Sequence, residues 1–267
     1  MLDAPPRPPG CLIGVSLGPG DPGLITRHAW EVLHSGGRWV YPVKGKDAAS
    51  YALDIVCRAG LAVPADAQSL HFPMTSNPET LALAWTRAGV RCAELLAEGR
   101  DLLFLVEGDA STYSTFGHLA RVVRGLGGAV EVIPGVPSFN AAAARLAVPL
   151  VEEDGTFAVI PAAYGIEVIE GLIDAFDTLV LLKVKPLLDP LLDLLERRGL
   201  TAQACFVEKV GTPDERVVTG VGILRGERVN YLSLLLVRNP GRVRGDLARG
   251  CSGTRHPLPM SAIEEDQ

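Results

Sequence analysis

Cysteine is sparse in this chain and never paired: Cys11, Cys57, Cys92, Cys205 and Cys251 stand singly in 267 residues, with no C-x-x-C spacing. That distribution argues against a disulfide scaffold or a zinc site, so no metal is expected, and a reducing cytoplasm fits best. Long apolar runs are also missing. Stretches such as Tyr231 to Val237 fall far short of the roughly 20 residues that span a bilayer. The N-terminus is Pro-rich rather than a charged segment before an apolar one, so neither an export signal nor a membrane anchor is expected. Excess positive charge is absent too. A net charge of −6 argues against nucleic acid as a partner. What remains, 48% hydrophobic and 21% charged residues, can bury one large core or two medium ones.

The most informative stretch is Gly18-Pro19-Gly20-Asp21-Pro22, directly behind the apolar run from Cys11 to Leu17. It reads as a strand ending in a ligand loop: glycines admit close approach, prolines stiffen the turn, and a helical apolar pattern resumes from Leu24 to Leu33. Open α/β sheets place their ligands at such junctions. Gly18, Gly20 and Gly23 also satisfy G-x-G-x-x-G, but a dinucleotide fold wants a carboxylate roughly 20 residues further on. Here the second apolar run, Arg38 to Val43, leads into Lys44-Gly45-Lys46 and offers none before Asp47. A nicotinamide cofactor is therefore disfavoured.

The patterning predicts strands over 11–17, 38–43, 102–106 and 129–133, an extended piece near 68–73, and helices over 24–35, 47–59, 78–98, 114–125 and 138–146. Such alternation implies a mostly parallel sheet covered by helices. A break at 146–155 marks a domain boundary. Beyond it come strands over 156–160, 177–183, 202–207 and 230–237, an extended stretch at 215–221, and helices over 165–174 and 187–198, with the last strands antiparallel. The expectation is an N-terminal α/β domain over 1–148, a C-terminal α/β domain over 149–238 and a mobile tail over 239–267.

Further strand ends carry chemistry. Leu102 to Val106 runs into Glu107-Gly108-Asp109-Ala110-Ser111-Thr112-Tyr113, which reads either as a ligand loop or as a helix start capped by Ser111 or Thr112. Pro134-Gly135-Val136-Pro137-Ser138 is a rigid turn before an alanine-rich helix, Lys183-Val184-Lys185-Pro186 follows the strand at 177–183, and Glu208-Lys209-Val210-Gly211 follows that at 202–207. Five of the 25 basic residues are lysine, Lys44, Lys46, Lys183, Lys185 and Lys209, each at or just after a strand end. A charge there is commonly just solvated. The alternative is that several face an anionic ligand in one cleft between two domains.

The chain resembles the tetrapyrrole methylases, from about Cys11 to Arg238. The marks are Gly18-Pro19-Gly20-Asp21-Pro22, Glu107-Gly108-Asp109, Pro134-Gly135-Val136 and Glu208-Lys209-Val210-Gly211. Tyr41-Pro42-Val43-Lys44, His71-Phe72-Pro73-Met74-Thr75, Tyr113-Ser114-Thr115-Phe116 and Tyr231-Leu232-Ser233-Leu234 favour the branch of precorrin-2 C20-methyltransferases. Two positions depart from the family pattern. Ala110 replaces the usual proline after Gly-Asp, and Pro137 replaces a Ser or Thr, which removes a backbone donor and a hydroxyl.

The resemblance implies two αβα domains with an interdomain cleft (a class III methyltransferase). It also implies S-adenosylmethionine as methyl donor, S-adenosylhomocysteine as product, and a homodimer in which Leu81 and Trp85 of the 78–98 helix face the partner. The substrate would be precorrin-2 or its cobalt form. The cofactor would lie against Pro19, Glu107, Gly108, Asp109, Thr112, Pro137, Ser138, Lys183 and Gly211. Asp109 would accept a proton, orient the pyrrole nitrogens or orient the cofactor, and Lys44, Lys46 and Lys183 would hold substrate carboxylates. A nicotinamide oxidoreductase and a non-catalytic tetrapyrrole carrier are the rival readings.

Overall fold

The structure, a computed structural model, describes residues 9–45, 48–75 and 77–243. The first half forms β1 (Cys11–Ser16), α1 (Arg27–Leu33), β2 (Arg38–Val43), α2 (Tyr51–Arg58), β3 (Gln68–His71), α3 (Pro78–Leu96), β4 (Leu102–Val106), α4 (Phe116–Gly125), β5 (Ala129–Ile133) and α5 (Ser138–Arg145). The second forms β6 (Phe157–Pro161), α6 (Ile166–Ile173), β7 (Thr178–Leu182), α7 (Leu188–Arg197), β8 (Ala204–Glu208), β9 (Arg216–Val218) and β10 (Ser233–Arg238).

The first sheet has the order β3-β2-β4-β1-β5, and every pair in it is parallel. Both faces are covered, which is why β4 is apolar and buried at every position. Leu33, Ala52, Ile55 and Val56 of α1 and α2 pack on one face; Cys92, Leu95, Phe116 and Leu119 of α3 and α4 pack on the other. From β1 the chain crosses towards β2, and from β4 it crosses the opposite way to β5. The carboxyl ends of β1 and β4 are neighbours, so the crevice where connections diverge opens between them.

The second sheet has the order β6-β7-β10-β8-β9. β6 and β7 are parallel, while β10 runs antiparallel to both β7 and β8, and β9 antiparallel to β8, as the β-rich ending predicts. One face packs on α6 and α7. The other packs on α5, where Ala141, Ala142 and Ala143 meet Val180, Val207 and Leu236. A helix that follows the first sheet thus lies against the second, and its small side chains let the backbone come close.

Several boundaries differ from the sequence expectation for local reasons. The 24–35 helix splits: a 3-10 turn over Pro22–Leu24 is capped by Asp21, whose carboxylate accepts from Gly23 N, and α1 starts afresh with Thr26 accepting from Ala29 N. The 47–59 helix begins only at Tyr51, behind the cap Ser50. Pro78 starts α3 behind Asn77, whose side chain accepts from Glu79 N and Thr80 N at 3.0 Å each. Neither Ser111 nor Thr112 caps α4, which follows Thr115 instead. The first residues of the stretch expected as a tail make defined bonds. Asn239 donates to Ile173 O at 2.9 Å and Arg242 pairs with Asp177 at 2.8 Å, while residues from 244 onward lie outside the described residues.

Gly14 in β1 shows how tightly the first core is filled. A Cβ there would stand 2.7 Å from the ring of Phe116, which is 1% exposed and packs on Phe104 with centroids 5.7 Å apart. Gly14→Ala should therefore destabilise by roughly 1–3 kcal/mol through overpacking, and Phe116→Ala by roughly 3–5 kcal/mol through the cavity it leaves. The double variant Gly14→Ala/Phe116→Ala should be more stable than the two single losses add to, because the new methyl enters the space the ring leaves. Urea unfolding of the four proteins checks this, and simple additivity would contradict the contact.

Candidate active site

One cavity of about 350 Å³ opens between the strand ends of the two sheets. Its first wall is backbone. The ladder between β1 and β4 continues past its last parallel pair: Leu17 N donates to Val106 O at 2.9 Å, then Gly18 and Gly108 exchange two bonds, at 3.2 Å and 2.7 Å. Both glycines have φ of +76°, which a side chain would resist. Gly108 lines the cavity, and a Cβ on it would meet nothing within 4 Å, so the space above it is open.

Asp109 fastens this wall to the next loop. Its Oδ1 accepts from Ser111 N at 2.9 Å, from Ser111 Oγ and from Thr112 Oγ1 at 3.3 Å; its Oδ2 accepts from Gly135 N at 2.8 Å. Burial alone would raise the pKa of this carboxyl, 8% exposed, but the donors from Ser111, Gly135 and Thr112 hold it below the ordinary value. Beneath it the buried Ser16 hydroxyl accepts from Ala110 N at 2.9 Å.

Glu107, two residues away, has the opposite environment. It is half-buried at the end of β4 and lines the same cavity. Burial pushes its carboxyl up to about 7, with the ammonium of Lys44 pulling the other way.

The second wall comes from the other sheet, and strain marks it. Lys183 after β7 and Lys209 after β8 adopt φ of 57° and 49°, and Tyr113 on the first wall adopts 50°. Three left-handed non-glycine residues on one cavity is the pattern of backbone held for a ligand site. Each conformation is pinned: Lys183 N donates to Ser233 O at 2.8 Å, Lys209 N to Leu232 O at 2.7 Å, and the Tyr113 hydroxyl crosses to Val159 O at 2.9 Å. The ammonium of Lys183 lies 5.3 Å from the centre of the Tyr231 ring, and that of Lys44 lies 5.4 Å from that of Tyr51. Lys209 is paired with Asp214 at 2.9 Å.

The halves meet most closely below the cavity. A Cβ on Gly20 would stand 2.4 Å from Val210 O, and one on Gly211 would stand 2.6 Å from Asp21 N. Arg58 donates to Gly20 O at 2.6 Å. Glu215 accepts from Gly211 N at 2.8 Å and pairs with Arg145 of α5 at 2.5 Å.

Of the residues singled out from sequence, Pro19, Lys44, Glu107, Gly108, Asp109, Thr112, Pro137, Ser138 and Lys183 line the cavity. Gly211 sits just outside the lining, beside Val210, with its N–H already engaged by Glu215. Lys46 lies outside the described residues. Tyr51 and Lys209 line the cavity without having been assigned a role. A lysine at a strand end was the available signal for Lys209; nothing in the local sequence marks Tyr51. Among the described residues no group of three His, Cys, Asp or Glu could hold a metal ion, and no helix is long and apolar enough to cross a membrane.

The profile of the Tetrapyrrole (Corrin/Porphyrin) Methylases matches residues 11–222. The cobalt-precorrin-2 C(20)-methyltransferase of Salmonella typhimurium is 31% identical over 229 residues, covering 85% of this chain and 96% of the relative. The precorrin-2 C(20)-methyltransferase of a Sinorhizobium species is 27% identical over 238 residues, covering 85% and 95%. The solved uroporphyrin-III C-methyl transferase of Thermus thermophilus, complexed with S-adenosylhomocysteine, superposes with a TM-score of 0.59 at 23% identity, over 86% of this chain and 97% of that one.

Replacing Asp109 by Ala leaves the N–H groups of Gly135 and Ser111 without their acceptor, so the variant should lose roughly 2–4 kcal/mol of stability at pH 7. Because the folded-state pKa is depressed, this contribution is present above the unfolded value of about 4 and is lost as pH falls through the folded value. Denaturant titrations at pH 7 and pH 3 should show the gap to wild type narrowing in acid. A gap independent of pH would mean the carboxylate charge is not what fastens the loops.

Proposed function

Because the chain belongs to the tetrapyrrole (corrin/porphyrin) methylases, we propose that the cavity between its sheets is the site of C-methylation, shared by a methyl donor and a polycarboxylate ring. The protein is an S-adenosylmethionine-dependent C-methyltransferase acting at C20 of precorrin-2 or of its cobalt complex. One observation supports the reading above others: strained, glycine-bearing strand ends from both sheets converge on one cavity, at the divergence of β1 and β4.

The lining suits the donor. Bare Gly108 leaves room over the backbone, and Thr112 and Ser138 carry hydroxyls beside it. Pro19, Glu107 through its backbone alone, Gly108, Asp109, Thr112, Pro137, Ser138, Lys183 and the carbonyl of Gly211 are the groups we assign to holding S-adenosylmethionine. When bound, the donor supplies a methyl group already activated by its sulfonium leaving group. The protein's tasks are to align the carbon nucleophile and exclude water. Asp109, with its oxygens engaged by internal donors, acts by positioning the Gly108 and Gly135 loops rather than by taking a proton. The nicotinamide alternative has no ribose carboxylate after β2, where Lys44 stands instead.

Lys44 and Lys183 hold carboxylate arms of the substrate, and Lys46 belongs to the same assignment. Domain limits of 1–148 and 149–238 and a cytoplasmic location, consistent with free Cys11, Cys57, Cys92 and Cys205, complete the reading. Homodimerisation would cover the apolar side chains that α3 exposes, Leu83 at 51% and Val90 at 42%. Trp85, by contrast, stacks on His118 within its own chain, with centroids 3.7 Å apart. Light scattering at micromolar concentration should give twice the chain mass; a monomer would remove the dimer from the proposal.

Incubation with S-adenosylmethionine and either precorrin-2 or its cobalt complex should yield a ring with a new methyl at C20, located by NMR. Binding of NADH without binding of S-adenosylhomocysteine would sink the assignment. The lysines should act on KM more than on kcat, since contacts to remote arms favour ground and transition states alike. Lys183, half-buried, should matter more: Lys183→Met should raise KM by roughly tenfold or more, as a charge-assisted bond of about 1.5–3 kcal/mol implies. Lys44 is exposed, so Lys44→Met should raise KM only a few-fold, and less at high salt. Unchanged KM in both variants across salt concentrations would make them ordinary solvated charges.

A further inference from the structure

We infer that the carboxylate of Glu107, standing unbonded in the cavity, accepts the C20 proton during methylation, a role that rests on the methyltransferase reading above. Methylating a meso carbon requires a proton acceptor, because that carbon enters with a hydrogen and leaves with a methyl in its place. Carbon–carbon bond formation uses the ring π pair, while the sulfonium S–C bond breaks and its electrons leave with a neutral thioether. C20 is then tetrahedral, bearing methyl and hydrogen. Glu107 takes the hydrogen as a proton, and the C20–H pair returns to the conjugated ring.

Two carboxyls on one loop face this task with contrasting surroundings. Asp109 is buried and both its oxygens accept from internal donors, Ser111 and Thr112 on one and Gly135 on the other, which holds it ionised and fastened to the loops. Glu107 lines the cavity, and none of the described residues donates a hydrogen bond to it or forms an ion pair with it. Desolvation without donors holds its carboxyl near 7, where a base is half ionised at neutral pH and basic enough to take a proton. Environments that separate the pKa values of neighbouring carboxyls divide acid–base work from structural work.

The charge that faces Glu107 is Lys44, after β2. On the β1 side, Gly18, Pro19 and Gly20 bring no titratable group, and Asp21 turns to Gly23 N. The β5 loop, 134–138, brings none either. Across the cavity lie Lys183 over Tyr231 and Lys209 paired with Asp214, and on Glu107's own side the phenols of Tyr51 and Tyr113 also line it. Since the ionised form is the active one, activity should rise with pH through about 7 and then level off.

The test uses the full chain and Glu107→Gln, which keeps shape and removes basicity. In the free protein, a carboxyl carbon signal titrating near 7 should be present in wild type and absent in the variant. With precorrin-2 or its cobalt complex, kcat should fall by roughly 100-fold to 10,000-fold, the acid limb of the pH profile should vanish, and affinity for S-adenosylhomocysteine should stay within about twofold. Glu107→Asp should recover part of kcat and keep an acid limb, and Lys44→Met should move the wild-type limb to higher pH. Turnover by Glu107→Gln within a few-fold of wild type would overturn the proposal. So would a parallel loss of S-adenosylhomocysteine binding, which would make the side chain of Glu107 a cofactor contact. If wild type binds no S-adenosylhomocysteine and methylates neither ring, the methyltransferase reading itself fails and takes the proposal with it.

Discussion

Backbone pressed on backbone at Gly20 and Gly211 governs the arrangement of this molecule. Neither position has room for a methyl group, and what each would strike is main chain rather than the end of a pliable side chain. The Gly18–Asp21 loop and the loop after β8 are thereby fixed against each other, so the gap above them has a set width. Arg58 on one side and Glu215 with Arg145 on the other hold the polar groups at this junction. Tyr113 spans the two halves above it. The cavity follows from two loops that cannot come closer and a phenol that limits how far they part.

Electrostatics within that gap run against the composition of the whole chain. A protein of net charge −6 can still present a locally cationic cavity, because three of its five lysines line one. Two of them lie over aromatic rings, which orient an ammonium while leaving its hydrogens available. Lys209 differs, since Asp214 already neutralises it. The field of the cavity is thus set by a few placed charges.

Much of this was legible in the sequence because it depends on local pattern. Alternating apolar runs gave the parallel first sheet, and the glycine-rich string after β1 located the crevice. The misreadings share a cause: a side chain bonded to something distant or unexpected. Ser111 and Thr112 look like helix caps, yet their hydroxyls are drawn to Asp109; the Asp-x-Ser spacing that permits this is equally common in ordinary turns. The Tyr113 hydroxyl finds a backbone carbonyl 46 residues away, which leaves no trace in composition. The residues of α5 read as a cover for the first sheet, and only the tertiary structure reveals that alanines 141–143 seat it on the second. Asn239 and Arg242 fall in a polar, glycine-rich segment, but bonds to Ile173 and Asp177 hold them.

The placement of Lys44, Lys183 and Lys209 has a practical consequence for handling the protein. Reagents that acylate primary amines usually decorate a protein surface at random. Here more than half of the lysine side chains border one cavity, so amine coupling to a sensor chip or a dye becomes close to an affinity label. Immobilisation by that chemistry would tether molecules mouth-down and blind them to the ring they receive, whereas attachment through the exposed thiol of Cys57 would not consume these amines.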